Sequence, residues 1–395
     1  MKKIAVVHPF LETKSGSGSI YKCLKIIEVL KDIYDLSLIT GTPKVDFPAL
    51  NKQWGTNIRR EDIHILKVPL YFLRYVPLFM GLRHSLVGRY CRAHGREFDV
   101  MISAYSPYDF GVLGIQFIGD LIFSEKLRAI YHSMPDDREA AWFYKDSWWR
   151  MLYLKAGRLL YPATEEGLWR NLTVSNSRWT RDVLFKAYGV ESLVIYPPVP
   201  DIDFQIPWNL KEEGFVTISN LVPFKQVERS IRIIQAVRSQ GFDVHLHIVG
   251  DIVDRVYANK VLEICRQNAD WCFYEGPRYG RDKVRLIDAH KYGIHGAETE
   301  AFGIAVAEMI KAGCVVWVAE GGGQSEIVEA EHLIFRSEED AVRKILAFRR
   351  DRERQDDIRR HLNRRAQDFA LENYSTCIRS VVADFIKREG RRAEG

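Results

Sequence analysis

The segment from Glu298 to Val328, ETEAFGIAVAEMIKAGCVVWVAEGGGQSEIV, constrains this chain more than any other. It reads as a short loop, a helix from about Gly303 to Ala312, and a buried strand from Val315 to Val318. The glycine turn Gly321-Gly322-Gly323 follows, and a second helix starts at Gln324-Ser325-Glu326. An apolar strand between helices belongs in a parallel sheet covered on both faces. Each helix start is preceded by glycine and presents unpaired N–H groups and a positive dipole end, an arrangement suited to a diphosphate. Glu300 precedes the first helix and Glu308 lies eight residues later, so both carboxylates project toward one edge. Carboxylates beside such a site repel phosphate but accept hydrogen bonds from sugar hydroxyls.

The pattern resembles the retaining GT-B glycosyltransferases of family 4, whose signature is E-x7-E within E-G-F-G-x-P-x-x-E-A. Here it is Glu300-Ala301-Phe302-Gly303-Ile304-Ala305-Val306-Ala307-Glu308, followed by Ala312-Gly313 and by Gly322-Gly323-Gln324-Ser325-Glu326-Ile327-Val328 as G-G-x-x-E-I-V. Ala301 and Ala305 depart from the family's Gly and Pro. An ordinary βαβ segment with surface glutamates does not account for the triple glycine or for Phe302.

At 395 residues the chain is long enough for two domains with full cores, and 47% hydrophobic with 28% charged residues is a globular balance. The net charge of +5 does not by itself argue for nucleic acid. Cys23, Cys91, Cys265, Cys272, Cys314 and Cys377 are scattered without CxxC pairs, which points to reduced thiols. No run approaches the roughly 20 apolar residues of a membrane span, and MKKIAVVHPF reads as a first strand, so a cytoplasmic location is expected.

Strands are expected at Ile4–Val7, Leu36–Thr40, Ile63–Val68, Val100–Ala104, Arg128–Tyr131, Leu172–Ser175 and Leu193–Tyr196. Helical patterns between them argue for a doubly wound parallel sheet. The loop after the first strand carries Gly16-Ser17-Gly18. It is a weak dinucleotide fingerprint, because a third glycine and an acidic strand end are both absent. The resemblance places this loop opposite the donor. From Val68 to Arg96, arginines interleave with apolar residues without an acid. Either residues 70–96 lie in an anionic membrane interface, or their apolar face packs on the sheet. His132, at the end of the expected Arg128–Tyr131 strand, resembles the family's histidine that reaches the donor sugar. Ser177 is a candidate helix cap, and the Asn171 sequon is expected in a buried strand. Lys387 to Arg392 reads as a disordered basic tail.

Tyr196-Pro197-Pro198-Val199 resembles the family's domain boundary. The expected organisation is an acceptor-side domain over 1–198, a linker over 199–213, a nucleotide-sugar domain over 214–372, and a returning helix over 373–395. Asp201-Ile202-Asp203 imitates a metal-binding DxD but falls in the linker. The family's G-R-L-x-x-x-K clamp appears with Asn220 in place of arginine and with Lys225 kept; Arg229 and Arg278 are candidates for the missing charge. The resemblance implies a GT-B fold of two Rossmann-like domains and transfer of a hexose of mannose or glucose type from a nucleoside-diphosphate sugar to a glycan or lipid-linked glycan. It assigns Lys225, Glu300 and His132 to catalysis. Donor binding falls to Gly16, Gly18, Asn220, Lys225, Arg278, Glu300, Phe302, Gly303, Ile304 and Glu308, with no metal and no cofactor beyond the donor. A sugar-nucleotide 2-epimerase and a non-catalytic sugar-nucleotide binder are the alternatives.

Overall fold

A computed structural model of the chain describes residues 1–12, 18–70, 80–121, 123–131, 148–202 and 206–394. The first domain begins β1 (Lys3–Val7), α1 (Gly18–Leu30), β2 (Asp35–Thr40), α2 (Phe47–Trp54), β3 (His64–Lys67) and α3 (Met80–His94). It continues β4 (Val100–Ser103), β5 (Ile115–Ile118), α4 (Glu125–Tyr131), α5 (Trp148–Leu160), α6 (Glu165–Trp169), β6 (Leu172–Ser175), α7 (Arg178–Tyr188) and β7 (Leu193–Val194). The second domain begins β8 (Glu212–Ile218), α8 (Val227–Ser239), β9 (His245–Val249), α9 (Arg255–Gln267), β10 (Cys272–Gly276), α10 (Gly280–Ala289) and β11 (His290–His295). Next come α11 (Ile304–Lys311), β12 (Val315–Ala319), α12 (Gln324–Val328), β13 (Ile334–Phe335), α13 (Glu338–Arg350), α14 (Arg352–Asp368) and α15 (Leu371–Glu394).

Both sheets are parallel, in the orders β3-β2-β1-β4-β5-β6-β7 and β10-β9-β8-β11-β12-β13. Central strands such as β12, Val-Val-Trp-Val-Ala, are buried throughout, because helices cover both faces. Strand order reverses between β1 and β4 and again between β8 and β11. Crevices at such switch points open at the C-terminal strand ends.

Two expectations are corrected here, and one choice left open is decided. Arg128–Tyr131 is the last part of helix α4, not a strand. Ser124 Oγ accepts from Leu127 N at its start, and Glu125 pairs with Arg128 one turn on at 3.0 Å. The fifth strand is Ile115–Ile118 instead, disguised by a polar Gln116 whose buried amide donates to Leu168 O and Thr173 Oγ1. The open choice concerns residues 70–96, of which 71–79 lie outside the described residues. Helix α3 turns Val87 and Cys91 onto Tyr108 and Phe110, and Arg83 is buried over the Phe10 ring. Arg92 reaches Asp109 at 3.4 Å and Pro162 O at 3.0 Å. Packing on the sheet wins for this helix, which leaves Arg89 on its exposed side, while Arg96, in the turn just beyond it, is exposed too. As the second correction, α15 runs on through Lys387–Arg392 as helix. Tyr374, Ile378, Val382 and Phe385 dock it into the first domain's core, and a nucleated helix extends cheaply through Lys, Arg and Glu.

Asn171 is buried, with its amide on Tyr108 O at 2.7 Å and Gln116 Oε1 at 3.0 Å. Asp201 of the DxD-like triplet pairs with Lys311 at 2.7 Å, while Asp203 lies outside the described residues. The domains are pinned where Ser177 caps α7 and donates to Ala301 O at 2.6 Å. Glu326 lends its carboxylate to the same helix start, accepting from Arg178 N at 3.0 Å and Trp179 N at 2.5 Å. An acidic group on a helix N-terminus is favourable for both hydrogen bonding and dipole, and here it also crosses the domain boundary.

Candidate active site in the interdomain cleft

The C-terminal strand ends of both sheets line one cleft of about 280 Å³. Of the residues singled out from sequence, Gly18, Asn220, Lys225, Arg278, Glu300, Phe302, Gly303, Ile304 and Glu308 all line it. Gly16 and His132 lie outside the described residues.

Gly303 stands at φ +99° as the cap of α11, in the left-handed region that glycine tolerates, so Ile304 and Ala305 open their helix start into the cleft. Gly18 is the first residue of α1, facing Ile304 from the other domain. A Cβ there would come within 2.5 Å of Ile304 Cδ1. The triple glycine does a different job from the one its sequence suggests. It does not line the cleft. Gly323 N donates to Glu300 O at 2.7 Å, and a Cβ on Gly322 or Gly323 would strike the backbone of Glu300 or Ala301. Those glycines shape the loop that carries Glu300. Phe302 anchors the same loop, buried between Tyr196 and Phe369.

The charged groups come in pairs. Lys225, at the end of the turn Pro223–Lys225, donates to Glu300 Oε2. His295 Nε2 lies 3.4 Å from the same oxygen. Burial alone would raise the Glu300 carboxyl, but Lys225 and His295 outweigh it and hold the group far below the usual carboxylate range. Glu308 is paired with Lys283 of α10 at 2.6 Å. Arg278 is held by Glu275 at 2.5 Å. Arg229 does not reach the cleft: it is buried against Gly296 O and Glu298. Asn220 lines the cleft, with its side-chain oxygen accepting from Asp251 N at 3.4 Å.

Four residues of the cleft went unread in the sequence. Lys283 is one of several like charges on α10, and only docking selects it. Lys22 of α1 is buried at the cleft wall, where desolvation pulls its ammonium down to about 7. His295 ends β11. Asp120 follows β5, so it occupies the strand-end position that the misread α4 had assigned to His132; Tyr105 Oη donates to it at 3.2 Å.

Residues 199–366 match the family Glycosyl transferases group 1. Among solved structures, Anabaena HepE in complex with UDP and glucose aligns with a TM-score of 0.66 at 14% identity, over 97% of this chain and 100% of that one. WaaG, a glycosyltransferase involved in lipopolysaccharide biosynthesis, aligns with a TM-score of 0.67 at 15% identity, over 95% and 99%. At these identities the likeness defines the fold, which is GT-B, with two Rossmann-like domains facing across a cleft. Residues 199–366 are accordingly a glycosyl transferases group 1 domain. A curated relative, GDP-Man:Man(3)GlcNAc(2)-PP-Dol alpha-1,2-mannosyltransferase of Dictyostelium discoideum, is 22% identical over 253 residues, 57% of this chain and 49% of that protein. The chain spans about half the length of this relative.

Proposed function

We propose that the chain transfers a hexose, of mannose or glucose type, from a nucleoside-diphosphate sugar to a glycan or lipid-linked glycan with retention of configuration. The observation that carries this is the convergence of Lys225, Glu300, Glu308 and the open start of α11 on one interdomain cleft. In the reaction the bond from the anomeric carbon to the diphosphate breaks, and one to the acceptor oxygen forms on the same face. The acceptor's proton passes to the leaving diphosphate. The leaving group gains charge, so cations and helix amides aimed at it lower the barrier most. Lys225, with Arg278 and Lys283 nearby, supplies that charge without need of a metal. Glu300, held ionised, is no proton donor. It orients Lys225 and accepts from the sugar hydroxyls, while Glu308 accepts from the ribose.

This division of roles predicts different behaviour from two conservative variants. Glu308→Gln should weaken binding of the nucleoside diphosphate about tenfold or more, since hydrogen bonds to a charged group contribute about 1.5–3 kcal/mol. Glu300→Gln frees Lys225 for the diphosphate, so affinity should hold or rise while transfer falls. Calorimetry with the free nucleotide separates them, and equal losses of affinity in both variants would remove the assignment.

A non-catalytic sugar-nucleotide binder is favoured by one observation, the neutral Asn220 where the family has arginine. Donor turnover decides between the two.

The acceptor side bears on the membrane. Helix α5 exposes Trp148, Trp149, Met151, Leu152 and Leu159, with Lys155 and Arg158 beside them. Tryptophan and basic residues on an amphipathic helix suit the lipid interface, so α5 is the better candidate for the membrane contact that one reading gave to residues 70–96. Flotation with anionic liposomes at low salt should recover the wild-type chain, and Trp148→Ala/Trp149→Ala should abolish recovery. If the wild-type chain stays soluble, the acceptor is a free glycan.

A further inference from the structure

At the opposite end of the second sheet, the N-terminal ends of three adjacent strands bring three histidines together. His245 and His247 sit two apart on β9 and therefore share a face. His290 opens β11. Between them runs β8, whose Glu212 is in register with His290 and whose Gly214 is in register with His245. The glycine is what allows the meeting: a Cβ on Gly214 would lie 2.1 Å from His245 Nε2. Each histidine offers a ring nitrogen, and these nitrogens lie within 4.8 Å of one another. His290 Nε2 and His245 Nε2 are 3.0 Å apart, and Glu212 Oε2 lies 3.4 Å from His245 Nε2 and 3.9 Å from His290 Nε2.

The hydrogen bonds behind the rings decide which nitrogens carry lone pairs. His290 Nδ1 is 2.6 Å from Leu286 O, and a carbonyl only accepts, so Nδ1 is the protonated nitrogen and Nε2 has the lone pair. His247 Nδ1 is 2.7 Å from Glu275 Oε1, which leaves His247 Nε2 as the free acceptor by the same argument. Imidazoles oriented by a carbonyl or carboxylate on the far nitrogen are the usual supports of metal-ligating histidines. A tetrahedral zinc with bonds of roughly 2.0–2.1 Å needs ligand atoms about 3.3 Å apart, within the range found here.

We propose that His245, His247 and His290, with Glu212 as fourth ligand, form a zinc-type site that clasps β9, β8 and β11. Binding needs only a shift of the His245 proton from Nε2 to Nδ1. His245, His247 and Glu212 are partly exposed, which gives the ion a path in, while His290 is buried. Three imidazoles and one carboxylate favour Zn²⁺ over the oxygen-seeking Mg²⁺ and Ca²⁺. Strand β9 runs from the site toward the donor cleft, about 7 Å from His247 to Val249 at roughly 3.3 Å per residue, and Glu275 links His247 to Arg278 of the cleft. The test below reads zinc binding and therefore does not depend on the transfer reaction.

The test uses the full chain without an affinity tag, stripped with EDTA and titrated with Zn²⁺ alone. One equivalent should bind and raise Tm, and Co²⁺ in its place should show the intense visible bands of a tetrahedral nitrogen–oxygen site. His245→Ala should lower zinc affinity about a hundredfold or more, and Glu275→Gln, acting through His247, about 10–100-fold. Both leave the buried His290 in place, and circular dichroism of the two variants checks that each is folded. A wild-type chain that takes up no stoichiometric zinc overturns the proposal. So does uptake that persists in His245→Ala and His247→Ala, or cobalt spectra with thiolate charge-transfer bands, which would move the ion to a cysteine. In each of these cases the His245–His290 contact is an ordinary hydrogen bond.

Discussion

Lys225→Ala is expected to lower turnover of the nucleotide-sugar by about 10²–10³, the typical cost of removing one charged or polar group aimed at developing charge. The structure sharpens the expectation. Arg229, one candidate substitute for the absent arginine, is committed to Gly296 O and Glu298 and does not line the cleft. Arg278 and Lys283 do line it, paired with Glu275 and Glu308 as Lys225 is with Glu300; what sets Lys225 apart is that its partner lies on the loop leading into α11. Lys225 is tied to Glu300 at the mouth of the α11 start, where the diphosphate would sit. The side chain is only partly buried, so the variant should fold. Circular dichroism and thermal unfolding check this beside the rate. Near-normal turnover by a folded Lys225→Ala chain would sink the donor-site assignment.

Asp288→Ala is expected to destabilise the second domain by about 3–5 kcal/mol, the usual cost of leaving one member of a buried ion pair alone. Lys211 and Asp288 are 3% and 0% exposed, and their Nζ–Oδ1 distance is 2.8 Å. Lys211 also reaches Ala312 O at 2.9 Å, and Asp288 accepts from Ile206 N at 2.9 Å. One pair thus ties the interdomain connection to the ends of α10 and α11. At about 2–4 °C per kcal/mol for a domain of this size, the second domain's Tm should fall about 10 °C. The double variant Lys211→Met/Asp288→Leu should recover much of it, because no charge is then left buried without a partner. A fall under about 1 kcal/mol in the single variant would show the pair to be solvated.

The reach of the sequence depended on the kind of signal. The segment from Glu298 to Val328 was legible because its demands are local: a glycine cap, an apolar strand, carboxylates at helical spacing. Its triple glycine was legible as a turn but not in purpose, since the loop it supports, at Glu300 and Ala301, lies on the far side of α11 and β12 in the chain. Strand β5 was lost because buried Gln116 breaks its apolar run, a polar residue tolerated only because Leu168 and Thr173 satisfy it. That error displaced the expected histidine and hid Asp120. Lys22 and Lys283 carried no signal at all. Each is one lysine among similar neighbours on a helix, and only the facing domain or the docked helix distinguishes it. The His245, His247 and His290 cluster was not read from the sequence at all, because their meeting requires the strand order β9-β8-β11.

The central claim, retaining transfer from a nucleotide-sugar in the Lys225–Glu300 cleft, is tested most directly by proton NMR of donor hydrolysis. The full chain is incubated with a panel of nucleoside-diphosphate sugars, and the anomeric signal of the first-formed sugar is followed before mutarotation. The account predicts slow release of nucleoside diphosphate from one donor, with the sugar appearing first in the donor's own configuration, and loss of this signal in Lys225→Ala. Tight donor binding with no turnover of any sugar, or a first-formed sugar of inverted configuration, would contradict it.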